Sequence, residues 1–461
     1  MRRKRAADVD RIESSRLAMQ LGQQFQQIIG DLLLKMPIPE SFSYMEKGVR
    51  QAMVDLGNTL LTTWLSVQND RYPADAVACR CGAQAAYVGM REGVLFTTVG
   101  RITYSRSYYV CDACHEGVYP LDKRLGLRPG AISADLECLT ALTGAHLPFG
   151  HSSELFETLT LVKVSPQTID KATQSFGAEM EAAEAAWITE SQDSASLLRL
   201  EREGEPVERL YGSMDATKVH TDGHRDDDDH GWRDLKMGSW FETDAQPPAQ
   251  PDADWDIQAK NITYYCDITE AERFGSLLWA TGMQRRAPVA KEIVFLADGA
   301  EWIWNLVQTH YPTAVQIIDW FHAAEHLTPV AERVKGTAAE HTAWLKQVRD
   351  DLWEGRLDNV IAACRAQARP DCPDDPAQTA AQYFINNCQR MNYAAYRAKG
   401  YQIGSGTMES GCKQVGIQRM KVPGATWDKG GARYVAKARA ALLSDQWDML
   451  AQRRVRLPPP A

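Results

Sequence analysis

The chain has 461 residues, of which 44% are hydrophobic and 24% charged, and its formal net charge is −9 at pH 7. This composition is typical of a soluble globular protein, and no apolar run approaches the roughly 20 residues that cross a bilayer, which excludes a membrane-spanning class. A chain of this length exceeds what one hydrophobic core can hold, so we expect two or three domains. Residues 1–5 are basic but no apolar segment follows them, which predicts no secretory signal and a cytoplasmic location.

The N-terminal region, residues 1–75, is predicted to be helical. Apolar residues recur at helical spacing over residues 8–34 and 45–67, for example at Leu17 and Leu21. Such spacing is typical of amphipathic helices, which bury one apolar face. We therefore expect two helices that pack against each other.

Two close cysteine pairs mark residues 76–125 as a small separate module. The pairs are Cys79 with Cys81 and Cys111 with Cys114, and the stretch between them is rich in β-forming residues. Four thiolates form a tetrahedral Zn²⁺ site, in which the metal is structural because no coordination position stays open. The first pair has a gap of one residue, tighter than the usual two. We interpret the module as zinc-ribbon-like; the alternative is four unrelated buried thiols.

Residues 126–200 are predicted to form a helical region. The segment Leu-Pro-Phe-Gly-His at 147–151 interrupts its first helix. Further on, Ser165 suits an N-cap and Pro166 suits the first position of another helix. A helix, a short turn and a second helix are the pattern of a helix-turn-helix that binds DNA. A plain helical hairpin is the alternative.

Strands and helices alternate after residue 205. The predicted strands lie at 210–215, 232–241, 261–268, 291–297 and 314–318, and the helices between them at 270–281 and 300–310. Three strands, a helix, a strand, a helix and a strand are an α/β order. Residues 326–399 are predicted to be all-helical, and another helix begins near Thr407. Residues 446–461 are predicted to form a basic C-terminal tail.

Three carboxylates stand out by their positions on these elements. Asp215 lies at the middle or end of the first strand, Asp298 directly follows the strand at 291–297, and Glu409 lies near the start of a helix. Carboxylates that converge bind hard divalent cations such as Mg²⁺ or Mn²⁺ through oxygen. Two such ions can activate an attacking oxygen and stabilise a leaving one. The alternative is that all three are ordinary strand-end and helix-cap acids.

The segments around these acids resemble the catalytic blocks of DDE transposases of bacterial insertion sequences. The resemblance is greatest to the Kra group, which is related to the Mutator-like transposases, and it covers residues 205–445. The segment Asp319-Trp-Phe-His322 is similar to an Asp/Cys-x-x-His signature that such enzymes carry between their second Asp and their Glu. The segments are Ser213-Met-Asp215, Leu296-Ala-Asp298-Gly, Gly404-Ser-Gly-Thr-Met-Glu409-Ser and Asp319-Trp-Phe-His322.

The resemblance implies a multidomain α+β protein with an RNase H-like α/β catalytic core. That core would comprise residues 205–325 and 400–445, and the helical segment 326–399 would be an insertion within it. The implied reaction is metal-dependent cleavage of DNA at the ends of an insertion sequence, followed by joining of the freed 3′-OH to target DNA.

The resemblance also implies roles for individual residues. Asp215, Asp298 and Glu409 would be catalytic and would hold Mg²⁺, and Asp319 would support the site. His322 would orient a phosphate or donate a proton to it. The alternative for His322 is that it caps the helix beginning near Phe321.

Two charged regions have opposite interpretations. The run at 224–230, which contains four consecutive aspartates, is predicted to be a solvated loop rather than a metal chelator. Basic residues are concentrated after residue 411, where phosphate contacts would give salt-sensitive binding that does not depend on sequence. A solvated helix face is the alternative. The residues predicted to bind DNA are Lys413, Arg419, Lys421, Arg433, Lys437 and Arg439.

Three functional hypotheses follow. The first is a DDE transposase that acts on double-stranded DNA as a homodimer or higher homo-oligomer. It would not attach to a membrane, and it would associate with the nucleoid when it is bound to DNA. The second is a zinc-containing DNA-binding regulator whose RNase H-like core is inactive. The third is an RNase H-like nuclease that cuts without strand transfer.

Overall fold

The protein, described from a computed structural model, is a mixed α/β chain with two compact units. Unit 1 comprises Met1–Thr173 and Asp448–Ala461, and unit 2 comprises Gln174–Trp447. The finer division into six segments given above stays a prediction. The structure describes residues 2–35, 41–69, 75–202, 207–222, 230–248, 250, 255–369, 372 and 375–455.

Unit 1 begins with two long helices and a four-stranded antiparallel sheet. Helices α1 (Arg2–Lys35) and α2 (Phe42–Asn69) pack against each other, which confirms the helical periodicity. The sheet has its strands in chain order, and its main part is a hairpin whose turn ends at Gly100, with a φ of 93° that favours glycine. The strands are β1 (Ala76–Ala78), β2 (Gln84–Thr97), β3 (Gly100–Cys111) and β4 (Gly117–Val118).

The rest of unit 1 is helical, and its caps follow the sequence. The Ser133 hydroxyl accepts a hydrogen bond from the Leu136 amide, and the Ser165 hydroxyl accepts one from Thr168 at 3.2 Å. Pro166 is the first residue of its helix, so the prediction for Ser165 and Pro166 is confirmed. The helices are α3 (Pro120–Leu125), α4 (Ala134–His146), α5 (Phe149–Thr160), the start of α6 (Pro166–Ser191) and most of α18 (Trp447–Val455).

Unit 2 contains a five-stranded mixed sheet in the order β7-β6-β5-β8-β9. Strands β5, β6 and β7 pair antiparallel, whereas β5, β8 and β9 pair parallel. The centre of β8 is fully buried, as expected of a parallel strand that is covered on both faces. The predicted order of strands and helices is confirmed. The strands are β5 (Arg209–Thr221), β6 (Gly231–Gln246), β7 (Asp256–Asp267), β8 (Glu292–Ala297) and β9 (Val315–Ile318).

Helices cover the sheet, and the helical segment after β9 shares the same hydrophobic core. Phe295 on β8, Leu352 and Phe384 belong to that core and are fully buried. The last part of the unit passes through a π-helix, Cys412–Met420, whose turns are wider than those of an α-helix. The α-helices are α7 (Ser194–Arg202), α8 (Ala271–Gln284), α9 (Glu301–His310), α10 (Trp320–Glu325), α11 (Thr328–Ala331), α12 (Ala338–Trp353), α13 (Leu357–Ala366), α14 (Pro376–Asn386), α15 (Tyr393–Ala398), α16 (Gly406–Gly411) and α17 (Lys429–Leu443).

Two findings bear on earlier expectations about the surface. Among the described helices, none combines the length and the apolar content that a bilayer crossing requires. The acidic run at 224–230 lies almost wholly outside the described residues, since only its last residue, His230, is included.

Candidate active site and cysteine cluster

Asp215 lies on β5 beyond Gly212, the last residue of that strand that pairs with β8. Its Oδ1 accepts a hydrogen bond from the Ala216 amide at 2.7 Å, and its Oδ2 accepts one from the Cys412 thiol at 3.3 Å. Burial raises the pKa of the Asp215 carboxyl above its usual range, and the negative charge of Asp298 adds to the rise. Two carboxylates that repel each other in a half-buried space form a favourable environment for a cation.

Asp298 is held in the turn between β8 and α9. Its Oδ1 accepts a hydrogen bond from the Ala300 amide at 2.8 Å, and its carbonyl accepts one from the Trp304 indole at 2.9 Å. Tyr383, from α14, lies over the next residue, so closely that a Cβ at Gly299 would be 2.4 Å from its ring. Glycine is therefore required here, and the helical segment after β9 supplies a wall of the site.

Asp319 follows β9 and connects two elements. Its Oδ1 accepts hydrogen bonds from the amides of Phe321 and His322, which caps α10. Its Oδ2 accepts hydrogen bonds from the amide of Ser405, at 2.7 Å, and from the Ser405 hydroxyl. Ser405 directly precedes α16, so this buried carboxylate fixes the start of the helix that carries Glu409.

Glu409 lies on α16 with its side chain half exposed, and it pairs with Lys413 at 3.5 Å. Cys412 is three residues further on, so Glu409 projects near the helix face that contacts Asp215. The structure does not bring the three acids into one cluster. Within the described residues, the only group of at least three candidate ligands whose donor atoms all lie within 4.8 Å of one another consists of cysteines.

Close contacts at glycines set the approach of α16 and the π-helix to the sheet. A Cβ at Gly411 would lie 2.5 Å from the Tyr264 ring on β7, and one at Gly416 would lie 2.6 Å from the Thr217 methyl on β5. Any larger residue would push these helices away from the strands. The spacing of the two glycines thus allows Cys412 to reach Asp215.

His322 lies on α10 near Asp215. Its positive charge would lower the pKa of Asp215, opposing the effect of burial. The ring of His326, one turn further on, meets the His322 ring at 5.3 Å and stacks on Tyr383 at 3.8 Å. Burial lowers the pKa of His326. The structure therefore places His322 near Asp215, and its catalytic role stays a prediction.

Sequence reasoning missed three residues of this site. Cys412 was given no role in the site, although its position three residues after Glu409 is a signal that helical spacing provides. The Ser405 hydroxyl and the Tyr383 ring have no such signal. Each meets its partner through a contact across more than 80 residues of chain.

The structure corrects part of the predicted DNA contact. Arg419, Lys437 and Arg439 are 2%, 1% and 6% exposed. Lys437 forms ion pairs with Glu184 and Asp267 instead of facing solvent. A buried cation cannot reach a phosphate, so these three side chains are wrong as DNA contacts in this structure. The prediction stays for the exposed or half-buried residues, which are Lys413, Lys421 and Arg433.

The four cysteines of unit 1 form a compact cluster. Their Sγ atoms all lie within 4.8 Å of one another, with Cys79 at 3.5 Å from Cys114 and Cys81 at 3.6 Å from Cys111. Tetrahedral zinc with Zn–S bonds of about 2.3 Å places its sulfurs roughly 3.8 Å apart. The four cysteines can therefore bind a structural zinc.

The titration of two of these thiols fits the same conclusion. The hydrogen bond from the Cys114 backbone lowers the pKa of Cys111 to about 7. Although a backbone hydrogen bond from Glu116 lowers the pKa of Cys114, the thiols of Cys79 and Cys81 raise it to about 12. Four thiolates at this distance repel one another, and a bound cation would relieve that repulsion.

Comparison with known proteins gives a weak structural likeness. No family model matches the chain, and no curated protein does. Among solved structures, the chain is similar to a chain of the Drosophila P element transposase strand transfer complex, with a TM-score of 0.23 and 10% sequence identity. The alignment covers 72% of this chain and 83% of that chain. A likeness this weak carries no functional argument, and the resemblance to the Kra group stays a prediction.

Proposed function

We propose that the protein is a DDE transposase, a metal-dependent enzyme that cuts DNA and joins its ends. One observation carries the proposal: Asp215 on β5 and Asp298, directly after the neighbouring parallel strand β8, lie close enough that the charge of Asp298 raises the pKa of Asp215. A carboxylate pair at the ends of parallel strands is a typical site for Mg²⁺ and for the phosphates it binds.

The sheet supports an RNase H-like core. The order β7-β6-β5-β8-β9, with an antiparallel meander on one side of β5 and parallel strands on the other, is typical of that fold. Asp215 lies on the central strand and Asp298 at the end of the strand beside it. Glu409 comes from a helix that packs on the same sheet, which agrees with the order of acids in the proposed family.

The proposed mechanism assigns each group a task. Asp215 and Asp298 would hold Mg²⁺ or Mn²⁺, and Glu409 would join them after its side chain turns away from Lys413. The bound metal would activate the attacking oxygen and stabilise the leaving one. His322 would orient the phosphate beside the aspartates. Asp319 would act as a positioning residue, because it holds the helix that carries Glu409.

The remaining parts of the proposal concern binding. Cys79, Cys81, Cys111 and Cys114 would hold a structural Zn²⁺ in unit 1. The α5–α6 pair would contact double-stranded DNA as a helix-turn-helix, together with the exposed basic residues after 411.

Because transposition couples two DNA ends, we infer a homodimer or a higher homo-oligomer, which light scattering of the DNA complex would measure.

The test is cleavage and strand transfer on DNA that carries the ends flanking the gene. We expect Asp298→Asn to lower the metal-dependent rate by about a thousandfold, because several kcal/mol of charge stabilisation depends on the metal. Asp256→Asn, on the exposed part of β7, is the matched control and should keep full activity.

Each of the other outcomes selects an alternative. Cleavage without joining would favour a nuclease. DNA binding by both variants without cleavage under any divalent metal would favour a regulator whose core is inactive.

A further inference from the structure

Unit 2 contains an open notch along the free edge of β6. Strand β7 pairs with β6 only as far as Asp267, opposite Lys236, so residues 231–235 extend past β7. The loop 268–270 and the first turns of α8 and α17 enclose the remaining space, about 390 Å³. This space, the β6 notch, is within the size range of small-ligand sites.

Basic side chains outnumber acidic ones around the β6 notch by five to two. One of the two acids, Asp234, is already paired with Lys218 at 2.7 Å. Two of the basic groups share a single carboxylate, Glu181, at 3.6 and 3.3 Å. A positive surplus therefore remains, which favours an anionic ligand. The five basic residues are Arg233, Lys236, Arg273, Lys429 and Arg433.

Arg233 has a buried donor that indicates where an anion would bind. Its Nε is shielded from water, and within the described part of the chain no group accepts a hydrogen bond from it. A buried donor without an acceptor is unfavourable, and a phosphate oxygen would satisfy it. Arg233 lies four residues before Met237, which pairs with Asp215, so Arg233 projects from the Asp215 face of the sheet at about 13 Å along the strand.

Trp232 directly precedes Arg233, so it projects from the opposite face of β6 and adds an aromatic surface to the β6 notch at the edge of the sheet. Its side chain is 64% exposed, and the His220 ring meets it edge-on, at 5.3 Å and 80°. An exposed indole beside cations is a typical platform for an unpaired nucleic-acid base. Bases inside a duplex are covered by their neighbours in the stack, so this surface favours a single strand.

We propose that the β6 notch binds single-stranded DNA, with phosphates against Arg233 and its basic neighbours and one unpaired base on Trp232. The proposal rests on the proposed function, because cleavage at a DNA end releases strands that can separate close to Asp215. A strand of a few nucleotides would span the distance from the aspartates to the notch.

The experiment measures the affinity of the full chain for labelled oligothymidylate of about 12 nucleotides, within the site sizes of single-strand binders. A duplex of equal length is measured in parallel, over a series of salt concentrations and without added Mg²⁺. Trp232→Ala is compared with Trp64→Ala, which removes a similarly exposed tryptophan, 58% exposed, from α2.

We expect Trp232→Ala to weaken single-strand binding about tenfold, the effect of losing one stacked base, whereas Trp64→Ala should leave it unchanged. Arg233→Gln should reduce the slope of log affinity against log salt by about 0.7, the contribution of one phosphate on a single strand. Equal affinities of the two tryptophan variants would overturn the proposal. So would a loss of duplex binding as large as the loss of single-strand binding.

This assay and the cleavage assay fail separately. Binding here needs no catalytic metal, so a protein that never cuts DNA can still show the tenfold loss in Trp232→Ala. Absent cleavage would therefore overturn the proposed transposase and leave the β6 notch supported.

Discussion

The Asp319 carboxylate joins two parts of the chain that are 86 residues apart in sequence. It is 1% exposed, and both of its oxygens accept hydrogen bonds, from the first turn of α10 and from Ser405. A buried carboxylate with this many donors is stable only while the donors remain in place. Its sequence position after a strand indicated a special acid, but the partner Ser405 could not be read from any spacing.

Asp319→Asn tests this connection. The amide keeps the Oδ1 cap but presents an N–H group to the donors of Ser405, so we expect the free energy of unfolding to fall by about 2 kcal/mol. Urea denaturation measures the change. Ser405→Ala should cost less, because the backbone N–H of residue 405 remains. An Asp319→Asn variant as stable as the wild type would contradict the assigned geometry.

Whereas Asp319 stabilises the folded protein, the charged Asp215 carboxylate destabilises it at neutral pH. Burial, together with Asp298, raises its pKa in the folded protein above the unfolded value. As the pH rises, the unfolded chain therefore loses this proton first, so the stability contributed by the protonated group is lost between the two pKa values and stays lost at neutral pH.

We accordingly expect Asp215→Asn to raise the free energy of unfolding at pH 7 by about 1 kcal/mol, as removal of a functional-site charge commonly does. The gain should disappear near pH 3, below the ordinary pKa of an aspartate, where the wild-type carboxyl is also neutral. Urea titrations at both pH values measure this difference. A variant that is less stable than wild type at pH 7 would contradict it.

At the scale of elements, α17 is fixed by a buried ion cluster. Lys437 on α17 pairs with Glu184 on α6 and with Asp267 at the end of β7, and it also donates to the Cys266 carbonyl at 2.9 Å. Burial raises the pKa of Glu184, and the charge of Lys437 opposes that rise. The ion cluster therefore joins α17, α6 and β7. Burying any one of its charged side chains without the others would be energetically unfavourable.

Lys437→Met would leave both carboxylates buried without their cation, so we expect a loss of about 3–5 kcal/mol at neutral pH. The pKa of Glu184 then rises further, and the deficit should shrink as the pH falls towards 5 and Glu184 takes up a proton. Thermal melts at the two pH values measure this. Adding Glu184→Gln to the variant should recover part of the loss at pH 7; no recovery would contradict the ion cluster.

Helix α17 also shows why secondary-structure elements were easier to predict than the faces that they bury. Strand β8 was recognised because a buried parallel strand is a continuous apolar run. The basic residues of α17 were assigned to DNA, because the sequence alone does not identify which face of a helix is buried. The partner that buries Lys437 is Glu184, which lies 253 residues earlier.

At the scale of the whole molecule, the unfolding of the two units can be followed by different measurements. Of the 13 tryptophans in the chain, only Trp64 lies in unit 1. The cysteine cluster, by contrast, lies wholly in unit 1. Tryptophan fluorescence therefore follows the unfolding of unit 2, while calorimetry follows both units.

On the zinc proposal, a chelator should lower the melting temperature of unit 1 and leave the transition seen by tryptophan fluorescence nearly unchanged. The physical reason is that a structural zinc contributes its binding free energy to the folding of the module that holds it. Cys111→Ser should reproduce the effect and remove zinc from the purified protein, measured by elemental analysis. Cys138→Ser, a change to a half-buried thiol outside the cluster, is the matched control.

The site as a whole was only partly predictable. Asp215, Asp298 and Asp319 are found where strand patterns placed them, since a strand end is a local feature of the sequence. The position of Glu409 relative to these aspartates could not be predicted. It depends on close packing at Gly411 and Gly416 and on the contact between Asp319 and Ser405. Long-range contacts of this kind have no local signature.

The late position of α16 in the chain also has a consequence for synthesis. A ribosome completes Asp215, Asp298 and Asp319 and then the whole helical segment through α15 before it adds Ser405 and Glu409. Until then, the Oδ2 atom of Asp319 lacks the two donors of Ser405, and the site lacks its last acid. On the proposed function, a nascent chain could not cut DNA, including the gene whose message is being translated.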